Sequence, residues 1–338
     1  MGAYKDAHTN PQGPGDGRPT AMQIIRDQSL EGKLKGKVIV ITGANSGIGL
    51  ETAHALSATG ATLYLTGRDM QRAEAAIGDI LEHDRVSLVK MDNTSSASIR
   101  AAAAEILEKC QGKINILIEN AGVMGIETLT LTPEGHETLF ATNHLGHFLL
   151  FQLLKDALLA SSTPAFHSRV VVVASSAHRA AGDLHDSDNY SFQKGGYNHG
   201  LAYAQSKLAN VYMANELERR YGGRGLHATS LHPGAIDTNL SRHLDREVVE
   251  QIRSLEKVAK VMKSPEQGAA TTVVAAVGRE WEDKGGKYLE DCEEAKRGED
   301  DGDVFGIGFV RQTYDPNDEL RLWKDSLDMI GMKDDVWR

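Results

Sequence analysis

Tyr203 and Lys207 stand four residues apart, a spacing that puts both side chains on one face of a helix, one turn from each other. A free phenol has a pKa of about 10 and is a poor proton donor or acceptor near neutrality, whereas a neighbouring ammonium stabilises the phenolate. Lowering that pKa by roughly 3 units takes about 4 kcal/mol of differential stabilisation, which one close lysine in a dry pocket, helped by a second cation, can supply. Tyr and Lys four apart also occur on many solvated helices. The pair therefore carries chemistry only if the rest of the chain provides a pocket and a further polar group for the reacting molecule.

A pocket is marked near the start of the chain. Val38-Ile39-Val40-Ile41 is a continuous apolar run of strand length, the pattern of a strand covered on both faces in a parallel sheet. It leads into Thr42-Gly43-Ala44-Asn45-Ser46-Gly47-Ile48-Gly49 and then a helical pattern with Leu50, Ala53 and Leu56. Strand, glycine turn, helix is the arrangement that lets a backbone approach a pyrophosphate and aim a helix N-terminus at it. The spacing is G-x-x-x-G-x-G rather than G-x-G-x-x-G, and a plain glycine-rich turn reads the same in isolation.

The elements that must position these residues alternate. Leu63–Leu65, Val86–Met91, Ile114–Ile118, Val170–Val173 and Leu226–Leu231 read as strands, with a short one at Lys287–Leu289. Helical patterns fill Met70–Leu81, Ser98–Leu107, Pro133–Ala160 (one helix or two), Ala202–Tyr221 and Pro265–Val277. Such alternation predicts an α/β fold, a single doubly wound parallel sheet of about seven strands. Residues 1 to about 20, with Pro11-Gln12-Gly13-Pro14-Gly15-Asp16-Gly17, are too poor in apolar residues to order themselves. Residues 1–35 are therefore expected to form a mobile arm, although Ile24, Ile25 and Leu30 allow a short docking helix. Residues 36–290 form the domain, with loops at 179–202 and 235–264 facing the substrate, and 291–338 a C-terminal extension.

Other groups fall at the carboxyl ends of these strands, where open parallel sheets bind ligands. In Thr66-Gly67-Arg68-Asp69 an acid would accept ribose hydroxyls of NAD, and an arginine suits the extra phosphate of NADP. Asp69 precedes a helical run and is a credible cap, which leaves Arg68 as the reader and favours NADP(H), with NAD(H) still open. Asp92 could hold an adenine amino group or cap the following helix. Asn120-Ala121-Gly122 supplies small residues at the same edge. Ala174-Ser175-Ser176 supplies a hydroxyl able to hold a carbonyl oxygen, or a turn. His144, His147, His178 and His185, with Asp186 and Asp188, show no metal-ligand spacing, so no metal is expected. The acid-rich run Glu290–Asp303 reads as a solvated loop.

Composition narrows the class. The 338 residues are 41% apolar and 25% charged, ordinary for a globular chain. A net charge of −10 without a concentrated basic face argues against nucleic acid. The longest apolar stretch, around Phe148–Leu154, is broken by Gln152 and followed by Lys155-Asp156, so neither a secretory leader nor a membrane span is expected. Cys110 and Cys292, far apart, fit a reducing, cytoplasmic interior.

Taken together these residues resemble the short-chain dehydrogenase/reductase family of the classical type, over roughly residues 36–290. The motifs that carry the resemblance are Thr42-Gly43-x-x-x-Gly47-x-Gly49, Asn120-Ala121-Gly122, Asn143, Ser175, Tyr203-x-x-x-Lys207 and Pro233-Gly234, in that order. Asn143-His144-Leu145-Gly146-His147-Phe148 and Ser206-Lys207-Leu208-Ala209-Asn210 bring it nearest to the retinol dehydrogenase and WW-domain oxidoreductase branch and related fungal reductases. The resemblance implies a Rossmann domain and hydride transfer between a nicotinamide cofactor and a small-molecule carbonyl or secondary alcohol, lipid-like or polyketide-like. It implies Tyr203 as general acid or base, Lys207 lowering its pKa and holding the nicotinamide ribose, Ser175 orienting the substrate oxygen, and Asn143 holding a water that links Lys207 to solvent. Ser175 rather than Ser176 falls in register when counted from Arg169 to His178. Cofactor contacts implied are Gly43, Asn45, Ser46, Gly47, Ile48, Gly49, Arg68, Asp92, Asn93, Asn120, Ala121, Gly122, Pro233, Gly234, Ile236 and Thr238, with Tyr203 and Lys207.

Three departures from the family pattern stand out. Glu119 replaces a frequent Asn. A polar insert with Tyr190, Phe192 and Tyr197 is expected to shape the substrate entrance, and Trp323 and Leu327 to pack the tail back over the pocket. No membrane anchor of the retinol dehydrogenase kind is expected. The helices from Pro133 and Ala202 could form homo-oligomer faces or bury against the sheet. A rival reading keeps the fold without net redox, as an isomerase, cyclase or cofactor sensor; the set Ser175, Tyr203, Lys207 counts against it.

Overall fold

The computed structural model describes residues 4–334; residues 1–3 of the expected arm and 335–338 of the expected extension lie outside that range. In chain order the elements are α1 (Ala21–Asp27), β1 (Val38–Thr42), α2 (Gly47–Ser57), β2 (Thr62–Gly67), α3 (Met70–Ile77), β3 (Val86–Lys90), α4 (Ser96–Lys109) and β4 (Ile116–Glu119). Next come α5 (Thr138–Phe140), a π-helical turn (Ala141–Leu145), α6 (Gly146–Ser161), β5 (Ser168–Val173), α7 (His199–Tyr221) and β6 (Leu226–His232). The chain ends with α8 (Arg246–Ser254), α9 (Glu256–Val261), α10 (Pro265–Gly268), α11 (Ala270–Val277), β7 (Lys287–Glu290), β8 (Glu293–Glu294) and α12 (Pro316–Met329).

The eight strands lie in the order β3-β2-β1-β4-β5-β6-β7-β8, parallel except for β8, which returns antiparallel to β7. The order reverses between β1 and β4, so the crevice at their carboxyl ends is the place where such a sheet takes a ligand. β1 shows why the sheet is covered on both sides: Ile39 and Ile41 enter the core with α1, α2 and α11, whereas Val38 and Val40 enter the opposite core with α4, α6 and α7. Each such side chain contributes roughly 1.5–3 kcal/mol on burial. The 23-residue α7 is capped by the Asn198 side chain, which accepts the Leu201 N–H.

Both chain ends depart from expectation. The segment read as a mobile arm is packed from residue 4 onward. Arg18, 4% exposed, donates to the carbonyls of Gly13, Val261 and Met262 and to Asp16. The Gln267 side chain accepts from Gly15 N and donates to the carbonyls of Asp16 and Arg18. Composition counts apolar surface; here two polar side chains satisfy the arm's backbone instead, and Ile24 and Ile25 of α1 are fully buried. At the other end α12 does not fold over the pocket. Trp323 packs edge-on to Phe148 at 4.9 Å and near Phe151 and Tyr221, on the α6–α7 face left open above for a second copy. Among the described residues no helix is long and apolar enough to cross a membrane.

Candidate active site

The glycine turn after β1 is held by a closed set of hydrogen bonds. Gly43 has φ +66°, and a methyl group on it would meet Ala121 Cα at 2.9 Å. A methyl at Gly49 would fall closer than 3.0 Å to Gly43 O and Asn120 Nδ2. Thr42 Oγ1 accepts the N–H groups of Asn120 and Ala121 at 2.9 and 3.0 Å, and the Asn120 amide donates to Thr42 O and Gly43 O. His147 Nδ1 bonds the Asn143 carbonyl at 2.8 Å and so must carry the proton; Nε2 then accepts the Thr42 hydroxyl at 2.8 Å. Burial holds that imidazole down to about 4, in keeping with a neutral ring. The turn leaves a cradle that side chains would fill, open to a cavity lined by Gly43, Asn45, Ser46, Gly47, Ile48 and Gly49. The cavity measures about 1680 Å³, above the roughly 300–1,000 Å³ of a single-ligand pocket, which leaves room for a dinucleotide and a second molecule.

Ser175 and Tyr203 line the same cavity, as do Lys207, Asp92, Asn93, Asn120, Ala121, Gly122, Pro233, Gly234, Ile236 and Thr238. Burial pushes the Tyr203 phenol up to about 12, while the nearby Ser175 hydroxyl pulls the other way. The depression by Lys207 expected from the spacing is not what this structure holds. Lys207 Nζ donates to Val173 O at 2.9 Å and lies 5.8 Å from the Tyr203 ring centre, and burial lowers its own pKa to about 8. Helical spacing gave the shared face but not the competing carbonyl at the end of β5. Asn143, fully buried, lies behind the cavity in the π-helical turn. Its Oδ1 accepts Val123 N, and its Nδ2 donates to Val123 O and Ser206 Oγ. Both amide protons and one lone pair of Oδ1 are thus engaged, which leaves the second lone pair of Oδ1 and the backbone carbonyl, shared with His147, for the expected water.

At the far end of the cavity Arg68, Arg72, Arg242 and His243 gather. Burial lowers the Arg242 pKa, with Arg68 and Arg72 adding to the shift through their charge. Among the described residues no carboxylate pairs with any of the three arginines, and Asp69 caps α3 through the Arg72 N–H. Asp92 accepts from Thr94 N and Oγ1, while Ser95 caps α4, so the capping alternative for Asp92 falls to a neighbour. Arg242 and Arg72 were not singled out by sequence; Arg242 lies in a loop whose course no periodicity predicts.

The walls differ from expectation. Tyr190 and Phe192 of the polar insert are each 4% exposed: Tyr190 stacks on Phe140 and donates to Asp325, and Phe192 packs on Tyr197. Only His199 and Gly200 of that insert reach the cavity. The acid-rich run supplies a wall instead. Glu290 lines the cavity, its carboxyl pushed up to about 7 by burial and the charge of Asp291, and Val304, Phe305 and Ile307 follow. His185 and His144 bond Asn189 O and Ser326 Oγ respectively. Glu119, on β4, is fully buried, and both its carboxylate oxygens lack a partner; burial alone pushes it up to about 8.

Comparison with known proteins agrees with this geometry. A family profile described as short chain dehydrogenase matches residues 37–248. The short-chain dehydrogenase/reductase prx1 of Penicillium rubens is 44% identical over 333 residues, covering 98% of this chain and 96% of its own. Retinol dehydrogenase 13 of Homo sapiens is 37% identical over 308 residues, 89% of this chain and 86% of its own. A solved structure of an uncharacterised protein from Mycobacterium paratuberculosis is similar at a TM-score of 0.66 and 29% identity, over 88% of this chain and 95% of that one. The matched stretch runs from the start of β1 past Lys207 and β6, and the chain belongs to the short-chain dehydrogenase/reductase family of oxidoreductases.

Proposed function

We propose that the protein is an NADP(H)-dependent oxidoreductase that interconverts a carbonyl and a secondary alcohol on an apolar, lipid-like or polyketide-like molecule. The observation that carries this reading is that Ser175, Tyr203 and Lys207 line the same cavity as the glycine cradle. The residues present fit a dinucleotide: Gly43, Gly47 and Gly49 leave the backbone bare, Thr238 stands close beside Gly47, and Pro233, Gly234 and Ile236 line the same cavity. When bound there, a nicotinamide cofactor gives or takes the hydride.

The chain's own residues handle position and the proton. Ser175 donates to the substrate oxygen and keeps it against Tyr203. A phenol held near 12 is fully protonated at neutral pH, so Tyr203 is loaded as the acid that reduction needs. Lys207, tied to Val173 O, offers its remaining protons to a ribose hydroxyl and fixes the reacting ring relative to Tyr203. Arg68, Arg72 and Arg242 form an unpaired cationic site suited to a phosphate on the adenosine ribose, which supports NADP(H) over NAD(H).

Two variants test the reading. Tyr203→Phe is expected to lose about 10²–10⁴-fold in turnover and to keep NADPH binding, followed by fluorescence titration; unchanged turnover sinks the role. Arg68→Ala is expected to weaken NADPH about 10–100-fold through a lost charge-assisted bond, with NADH hardly affected. Equal loss for both cofactors rejects the phosphate assignment.

A further inference from the structure

Arg179 is an arginine that the reaction does not use, yet its side chain is only 1% exposed. It sits in the turn Ser176–Ala180, which Ser175 itself caps through the Ala177 N–H. All its donors are taken by one stretch of chain, residues 298–308. Nε donates to Asp303 O at 2.9 Å, Nη1 to Ile307 O and Gly308 O at 2.9 and 3.1 Å, and Nη2 to Glu299 O and Asp301 Oδ1, both at 2.8 Å. The loop is moulded on the guanidinium: a methyl group on Gly306 would lie 2.5 Å from Nη2. Ser176 Oγ adds a bond to Val304 O at 2.6 Å, and Glu290 accepts Gly308 N at 2.6 Å. The loop's place is thus dictated by the turn that carries Ser175.

What the loop presents is apolar. Of the eight large apolar side chains exposed among the described residues, Val304, Phe305 and Ile307 of the loop and Val248 and Ile252 of α8 line the cavity. Ile307 is 76% exposed, an arrangement that costs solubility unless something apolar covers it. Lys257 of α9, the helix that follows α8, reaches Asp303 of the loop at 3.3 Å.

We propose that the loop 298–308 is the specificity wall of the site, and that Arg179 is the positioning residue that sets it against Ser175. Resting on the carbonyl–alcohol reading above, the substrate is a bulky, hydrocarbon-rich carbonyl compound clasped between Phe305 and Ile307 on one side and Val248 and Ile252 on the other. Its carbonyl reaches in to Ser175 while its apolar body stays between the walls. A second copy of the chain would cover the same side chains but would leave selectivity among substrates untouched.

The test compares NADPH oxidation with a naphthyl ketone and with a three-carbon aldehyde, for the wild type, Phe305→Ala and Arg179→Lys. Phe305→Ala is expected to lower the ratio of kcat/KM for the naphthyl ketone to that for the aldehyde about tenfold, with the loss in KM rather than kcat. Arg179→Lys, which cannot reach all five acceptors, moves the ratio the same way. A ratio unmoved in Phe305→Ala overturns the proposal whether or not Arg179→Lys folds. Binding of the naphthyl ketone is also followed by fluorescence without cofactor. Loss of that binding in Phe305→Ala supports the wall even if no carbonyl is turned over, which separates it from the hydride-transfer reading. Undiminished binding, together with a change from dimer to monomer in Ile307→Asp, assigns the patch to a chain–chain contact and rejects the wall.

Discussion

Replacing Glu119 by glutamine is expected to stabilise the protein at alkaline pH and to do so by a predictable amount. The carboxyl is fully buried without a partner, and nothing but burial acts on its pKa, raised from 4.5 to about 8. At about 1.4 kcal/mol per unit, that shift corresponds to about 5 kcal/mol as an order of magnitude. The sign follows from proton counts. Between pH 4.5 and about 8 the folded protein holds a proton on Glu119 that the unfolded chain has lost, so stability falls as pH rises through this window. It is fully present below the unfolded value and levels off above the folded one. The glutamine amide is buried unpaired as well, but that cost does not vary with pH. Urea unfolding of both proteins at pH 5, 6.5 and 8 isolates the proton, because all other groups cancel in the difference. The variant should gain on the wild type by about 1.4 kcal/mol per pH unit across the window. Parallel stability curves would refute the reasoning and imply that the carboxylate finds a partner or water in solution.

Two further outcomes follow from the packing. Gly49→Ala drives a methyl group onto Gly43 O and Asn120, so NADPH affinity, read by fluorescence titration, should fall at least about tenfold, at a stability cost of about 1–3 kcal/mol; unaltered affinity would mean the cradle does not hold the cofactor. Trp323→Ala removes a ring that is 2% exposed and stacked under Arg220 at 4.6 Å, and should cost about 3–5 kcal/mol in a urea titration. A loss below about 1 kcal/mol would show that the tail helix is dispensable.

The sheet was readable in the sequence because its physics is local. A strand buried on both faces needs an unbroken apolar run, as at Val38–Ile41, and a tight strand-to-helix turn needs bare backbone, as at Gly43 and Gly49. Residues at strand ends, such as Asn120 and Ser175, then fall on one edge by topology. What was not readable depends on partners distant in the chain. Arg18 and Gln267 order an arm whose composition suggests disorder, Val173 O accepts a hydrogen bond from the Lys207 ammonium that helical spacing does not foresee, and Arg179 folds an acid-rich run around itself. In each case one polar side chain meets backbone groups far along the sequence, and no periodicity encodes such a meeting. The aromatic insert failed as a substrate wall for the same reason: Tyr190 finds Asp325, and the ring turns inward.

The placement of Trp323 bears on how the protein is made. Synthesis proceeds from α1 to α12, so the sheet, α6 and α7 are all complete while Phe148, Phe151 and Tyr221 still face water. Only when the α12 segment has left the ribosome can that face close, and until then the nascent chain carries a broad apolar surface on an otherwise finished domain. A chain cut short before Pro316 would keep every motif of the site and still be a client for chaperones, so loss of the tail should be felt first as aggregation during expression and only afterwards as lost catalysis.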